Sequence, residues 1–210
     1  MGFQMVGLIT SSKDYKLENT SFSKTSSINA YSSDPDLLIR EYFLSSSSQK
    51  AKARKVIFQH ISSWHSIVDI LRWGANGKAC DSYDSAVNLL AEIDSSVILE
   101  TLGLIANKLY IPMLDDFSYR GFAEICLEIL IKAIACSSKI DPMQRYRLIF
   151  EVIPPINRRN IKASVIDALL IMADEIDLTT IKSSIGRFTF DRDQYICDYA
   201  KEALKDLDLD

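Results

Sequence analysis

Glycine and proline are scarce in this chain, at 7 and 5 of 210 residues, about half their average usage of roughly 7% and 5%. A β-sandwich or barrel takes a turn about every 8–12 residues, so too little punctuation is present for one. Histidine is scarcer still, with His60 and His65 alone. A five-residue spacing sets the two rings on different helix faces, unlike the i, i+4 pair that favours chelation. The four cysteines, Cys80, Cys126, Cys136 and Cys197, include no C-x-x-C pair. No familiar zinc spacing assembles, and the expectation is reduced thiols with no metal and no cofactor. G-x-S-x-G, H-E-x-x-H and a phosphate-cradling glycine loop are all missing, which points away from catalysis.

Long apolar runs are missing too. The longest candidate, from Ile125 to Cys136, is broken by Glu128 and Lys132, short of the roughly 18 residues that a membrane helix takes. The opening MGFQMVGLIT has no basic n-region, and Val6 stands where a myristoylation signal takes Ser or Thr. A soluble, cytoplasmic protein is expected.

Basic residues number 24 against 28 acidic ones, a formal charge of −4, with a pI near 5.3. That balance argues against a nucleic-acid partner, which calls for a basic face. The charge is nonetheless uneven. Arg145, Arg147, Arg158, Arg159 and Lys162 form a basic cluster, whereas Asp191, Asp193, Asp198, Glu202, Asp206, Asp208 and Asp210 make the final stretch acidic.

Residues 1–33 are polar, rich in Ser and Thr, and without a period of two or 3.6. Such a segment buries too little to offset its ordering entropy, so a mobile arm is expected, followed by a helical body over 34–210. Helix starts are marked by Asp34-Pro35 and Asp141-Pro142, each a carboxylate cap followed by proline at the first helical position. Asp191-Arg192-Asp193-Gln194 reads as a capping box with Gln194 reaching back to the cap. Gly74 and Gly186 are expected to end helices in the left-handed conformation, and Pro154-Pro155 to stop another.

These signals predict five antiparallel pairs. First members span roughly 35–44, 64–73, 97–109, 142–153 and 178–186; their partners span roughly 48–61, 82–93, 116–134, 158–173 and 191–207. The partner helices share an apolar pattern. Ile196 is followed by Ala200, Ala203, Leu204 and Leu207; Ile161 by Val165, Ala168, Leu169 and Met172; and Tyr119 by Ala123, Cys126, Leu127 and Leu130. Ser82 with Ala86, Leu89, Leu90 and Ile93 fits as well, and Gln49 with Ala53, Val56, Ile57 and His60 is the most degenerate copy. The starting positions 49, 82, 119, 161 and 196 lie 33, 37, 42 and 35 apart. One helix stripe recurring at that spacing marks a helical repeat array.

The segments NIKASVIDALLIMAD (Asn160 to Asp174) and DRDQYICDYAKEALKDL (Asp191 to Leu207) resemble HEAT repeats, with Ile161-Lys162 and Tyr119-Arg120 in the family's apolar-basic pair. The resemblance covers residues 116–207 well and 34–110 weakly. It implies an all-α fold, a right-handed α-α superhelix of about five pairs, and carries no catalytic residue with it.

The function expected on that architecture is a non-enzymatic adaptor, assembly factor or inhibitor that binds a protein partner. A bilin-lyase-like subunit acting on a tetrapyrrole-carrying protein is the alternative, with a helical-repeat nucleic-acid binder behind it. The basic cluster is the candidate docking surface, for an acidic protein, a phosphate or the acidic last helix of another copy head to tail; a plain solvated face is the bland alternative. Cys126 and His60 fall in core slots, Asp115-Asp116 complement a helix dipole, and Trp64 and Trp73 read as core.

Overall fold

The computed structural model describes residues 35–45, 50, 53–54, 57, 64–75, 82–110, 117–152 and 158–209. The 1–33 arm, Asp34, His60, Cys80, Asp115, Asp116, Pro154 and Pro155 lie outside the described residues. Every regular element among those described is helical. In chain order these are α1 (Pro35–Leu44), α2 (Trp64–Ala75), α3 (Ser82–Leu90), α4 (Ser95–Tyr110), α5 (Phe117–Ala135), α6 (Pro142–Arg147), α7 (Arg159–Ile171), α8 (Leu178–Gly186) and α9 (Gln194–Leu209). A π-helical turn, Leu148–Val152, continues α6, and a 3-10 turn, Arg187–Phe190, continues α8. Between α1 and α2, Lys50, Ala53, Arg54 and Ile57 are helical as well.

Side-chain caps explain three of the starts. Asp141 accepts hydrogen bonds from the Met143 and Gln144 amides with Pro142 at the first helical position, as the sequence predicts. Asp177 caps α8 through the Thr180 amide and hydroxyl, and Asp94 takes the Ser96 amide and hydroxyl ahead of α4. Those two hydrogen bonds hold the Asp94 carboxyl below its ordinary range.

Three sequence expectations are corrected. The predicted helix 142–153 is α6 plus the π turn, which carries Phe150 against Tyr146 at 5.6 Å and against Phe188 at 6.4 Å. The last helix begins at Gln194 rather than Asp191, because the 3-10 turn intervenes and two short side-chain turns follow it. Asp191 accepts from the Asp193 amide and Asp193 from the Tyr195 amide, while Gln194 donates forward to Asp198 rather than back to a cap.

The two glycines are the third correction. Gly186 has right-handed helical backbone, φ −55° and ψ −28°, and hands α8 on to the 3-10 turn. Gly74 lies inside α2, where a Cβ would stand 2.6 Å from the Ala86 Cβ and 2.9 Å from the Ile129 Cδ1. Its role is close approach of three helices, which only a hydrogen side chain permits there.

Consecutive helices pack as hairpins: α2 on α3, α4 on α5, the π turn on α7, and α8 on α9. The second members also touch one another in series, α3 to α5 to α7 to α9, and on the other side α1 meets α2, which meets α4. A single hydrophobic cluster runs through all of them from Leu38 to Ala203. The apolar stripes lie in it. Leu127, Val165, Ala168, Leu169, Ala200 and Ala203 are buried, with Ala123 and Leu204 half-buried at its margin. Cys126 is buried among them, and burial pushes its thiol up to about 12. Cys136 is exposed and Cys197 is buried, its thiol donating to the Thr189 carbonyl. Trp73 is half-buried and stacks on Phe43 at 5.7 Å.

Candidate functional site: a cationic groove beside the last helix

The five cations singled out in the sequence do not form one patch. Arg145 is 3% exposed; one guanidinium nitrogen donates to the Ala135 carbonyl at the end of α5 and another to Glu175, in the connection between α7 and α8. A cation at a helix C-terminus meets carbonyls that have no partner in the helix. Arg145 is therefore a structural clamp, withdrawn from the surface. Its replacement by alanine removes both contacts and leaves the end of α5 uncapped and buried. The expected loss is about 2 kcal/mol, or a fall of about 4–8 °C in Tm for a chain of this size. Arg145→Lys, which keeps the charge but only one of the two reaches, should fall between the two in a thermal melt.

Arg147 is exposed at the end of α6, and Arg158 is exposed immediately before α7 with no side-chain cap bond. Arg159 and Lys162 are brought together with the start of α9. Arg159 pairs with Asp193 at 2.6 Å and Lys162 with Asp191 at 2.7 Å. These contacts stitch α7 to the segment leading into α9, so two of the five cations are already matched by acids of the same chain. Burial pushes the Asp191 carboxyl up, but hydrogen bonds from Lys162 and the Asp193 amide, with the Lys162 charge, bring it below its ordinary range. The Arg159 hydrogen bond does the same to Asp193.

Around those pairs opens a cleft of about 880 Å³. Arg159 and Lys162 of α7 form one wall, Arg187 and Phe190 of the 3-10 turn another, and Arg192 and Tyr195 complete it at the start of α9. The aromatic lining is unusually bare: Phe190 is 89% exposed and Tyr195 53%. The Arg159 guanidinium lies over the Tyr195 ring at 5.6 Å, and Arg187 lies over Phe150 at 5.0 Å. Tyr195 stacks in turn on Tyr199 at 5.9 Å. Arg187 and Arg192 of that lining have no ion pair among the described residues. The groove thus offers exposed aromatic surface, two cations already matched by aspartates, and further arginines to spare. Chemically, guanidinium groups beside exposed rings suit carboxylates and apolar side chains.

Phe190, Arg187 and Arg192 escape the sequence reading. The signal was local, two phenylalanines between two arginines in RFTFDR, of which Phe188 enters the core and Phe190 is left bare.

A second polar group sits where α3 meets α5. Lys132 lies over the Tyr83 ring at 5.3 Å and reaches Asp84 at 3.4 Å. Burial, followed by the charges of Glu128, Asp84 and Asp167, pushes the Tyr83 hydroxyl up to about 12. Across α7 and α9, Tyr199 donates to Asp167. These contacts tie successive helices to each other.

Among the described residues no group of three His, Cys, Asp or Glu could hold a metal ion, and no helix is long and apolar enough to cross a membrane. Comparison of the chain with protein-family models, curated proteins and solved structures finds no match.

Proposed function

We propose that the chain is a HEAT-like α-solenoid that serves as a non-enzymatic protein-interaction module, binding a protein partner in the groove between α7, the 3-10 turn and α9. The serial contacts of α3, α5, α7 and α9, each made by a helix carrying the same apolar stripe, support the repeat architecture. The observation that carries the binding site is Phe190, almost fully exposed at the mouth of a cleft edged by arginines. Aromatic and arginine side chains dominate the energetics of protein interfaces, and a large bare aromatic finds its stabilisation in a partner.

The test is capture from host extract, with the retained proteins identified by mass spectrometry. Phe190→Ser and the pair Arg158→Glu with Arg159→Glu should each weaken retention of the same protein about thirtyfold, the size of one hot-spot loss. The circular dichroism of both variants should match that of the wild type. Equal retention by all three proteins would place the interaction elsewhere.

A further inference from the structure

The groove and the far end of α9 carry opposite charge along one line. At about 100° per residue, Glu202 and Asp206 lie within about 20° of Tyr195 around the α9 axis. All three are exposed, and Tyr195 borders the groove. Glu202 and Asp206 follow about two and three turns later, and neither has an ion pair among the described residues. One helix of 16 residues, about 24 Å long, therefore presents spare cations and bare aromatics at its start and spare carboxylates towards its end.

Resting on the reading that the groove binds protein, we propose that its partner is a second copy of this chain. The two copies lie antiparallel along α9 about a two-fold axis, with Glu202 and Asp206 of each in the cationic groove of the other. The carboxylates meet Arg192 and Arg187, the groove arginines not engaged by the internal pairs with Asp191 and Asp193. Phe190 and Tyr195 lose water at the centre of each half of the contact, with charge around them. A two-fold arrangement is self-complementary, so one rotation fills both grooves and leaves no open end. The same surfaces arranged head to tail would leave one groove and one acidic ridge unfilled at the ends of every chain of copies.

Sedimentation equilibrium of the full chain tests this. A dimer is expected at about 0.05 M salt, with association at least tenfold weaker at about 0.5 M as the charges are screened. The variant Arg187→Glu with Arg192→Glu should be a monomer, and so should Glu202→Lys with Asp206→Lys, both with unchanged circular dichroism. Mixing these two variants should restore the dimer, because each contact again joins opposite charges. Two monomeric variants that stay monomeric when mixed would overturn the proposal, as would oligomers that keep growing with concentration. A wild type that is monomeric at low salt but whose capture of another protein depends on Phe190 would overturn the second copy as partner and leave the groove reading standing. Monomeric behaviour together with capture indifferent to Phe190 would overturn both.

Discussion

Gly74→Val is expected to destabilise the protein by about 3 kcal/mol or more, enough to remove much of the stability of an ordinary domain. The new Cβ would lie 2.6 Å from the Ala86 Cβ and 2.9 Å from the Ile129 Cδ1. The isoleucine can turn a rotamer, but the Ala86 Cβ is fixed to α3, so α2 and α3 must separate along a contact that both use to bury apolar surface. Gly74→Ala isolates the effect. Alanine improves helix propensity by about 1 kcal/mol, yet overpacking costs about 1–3 kcal/mol, so a net loss is expected despite the better helix former. Adding Ala86→Gly removes the nearest obstacle. The double variant Gly74→Ala/Ala86→Gly should recover much of the loss, and urea titrations of the four proteins give the coupling energy directly. Additive effects would show that the two helices are not held apart by this contact.

Ala203→Glu is the second large effect. Ala203 is 4% exposed on the face of α9, the helix that packs on α7 and α8. A carboxylate there is withdrawn from water with no cation provided for it, and the expected cost is about 3 kcal/mol or more. The acid can be accommodated only by protonation or by lifting the helix. Lys205→Glu, two positions on and exposed, introduces the same side chain into water and should stay within about 0.5 kcal/mol of the wild type. A shared melting temperature for the two variants would contradict the burial of that face.

Much of the helical layout is legible from local chemistry. The ranges expected for α1 and α8 coincide with those found, Pro35–Leu44 and Leu178–Gly186, and the Asp141 cap involves only residues within one turn. Features that depend on a distant partner were not legible. Gly74 looks like a helix stop until Ala86 and Ile129 are placed beside it. Arg145 looks like surface charge until the Ala135 carbonyl and Glu175 close around it. The groove was half visible, since Arg159 and Lys162 stood out as cations, but their pairing with Asp193 and Asp191 required α9 to fold back beside α7. Phe190 was hidden for the opposite reason: a phenylalanine in a sequence is read as core, and only the fold shows it bare.

On the proposed solenoid reading, helix pairs would open one after another from an end, each unit with its own local free energy. The Arg145 clamp works against that. It joins the last turn of α5 to the segment that leads into α8, spanning two successive pairs with one buried side chain. Opening the connection before α8 strips Glu175 from a guanidinium that stays buried, and opening α6 leaves the end of α5 without its donor. The expected consequence is cooperativity: the stretch from α5 to α8 should open as one unit, its amide protons on both sides of Arg145 exchanging together, beneath the groove beside α9.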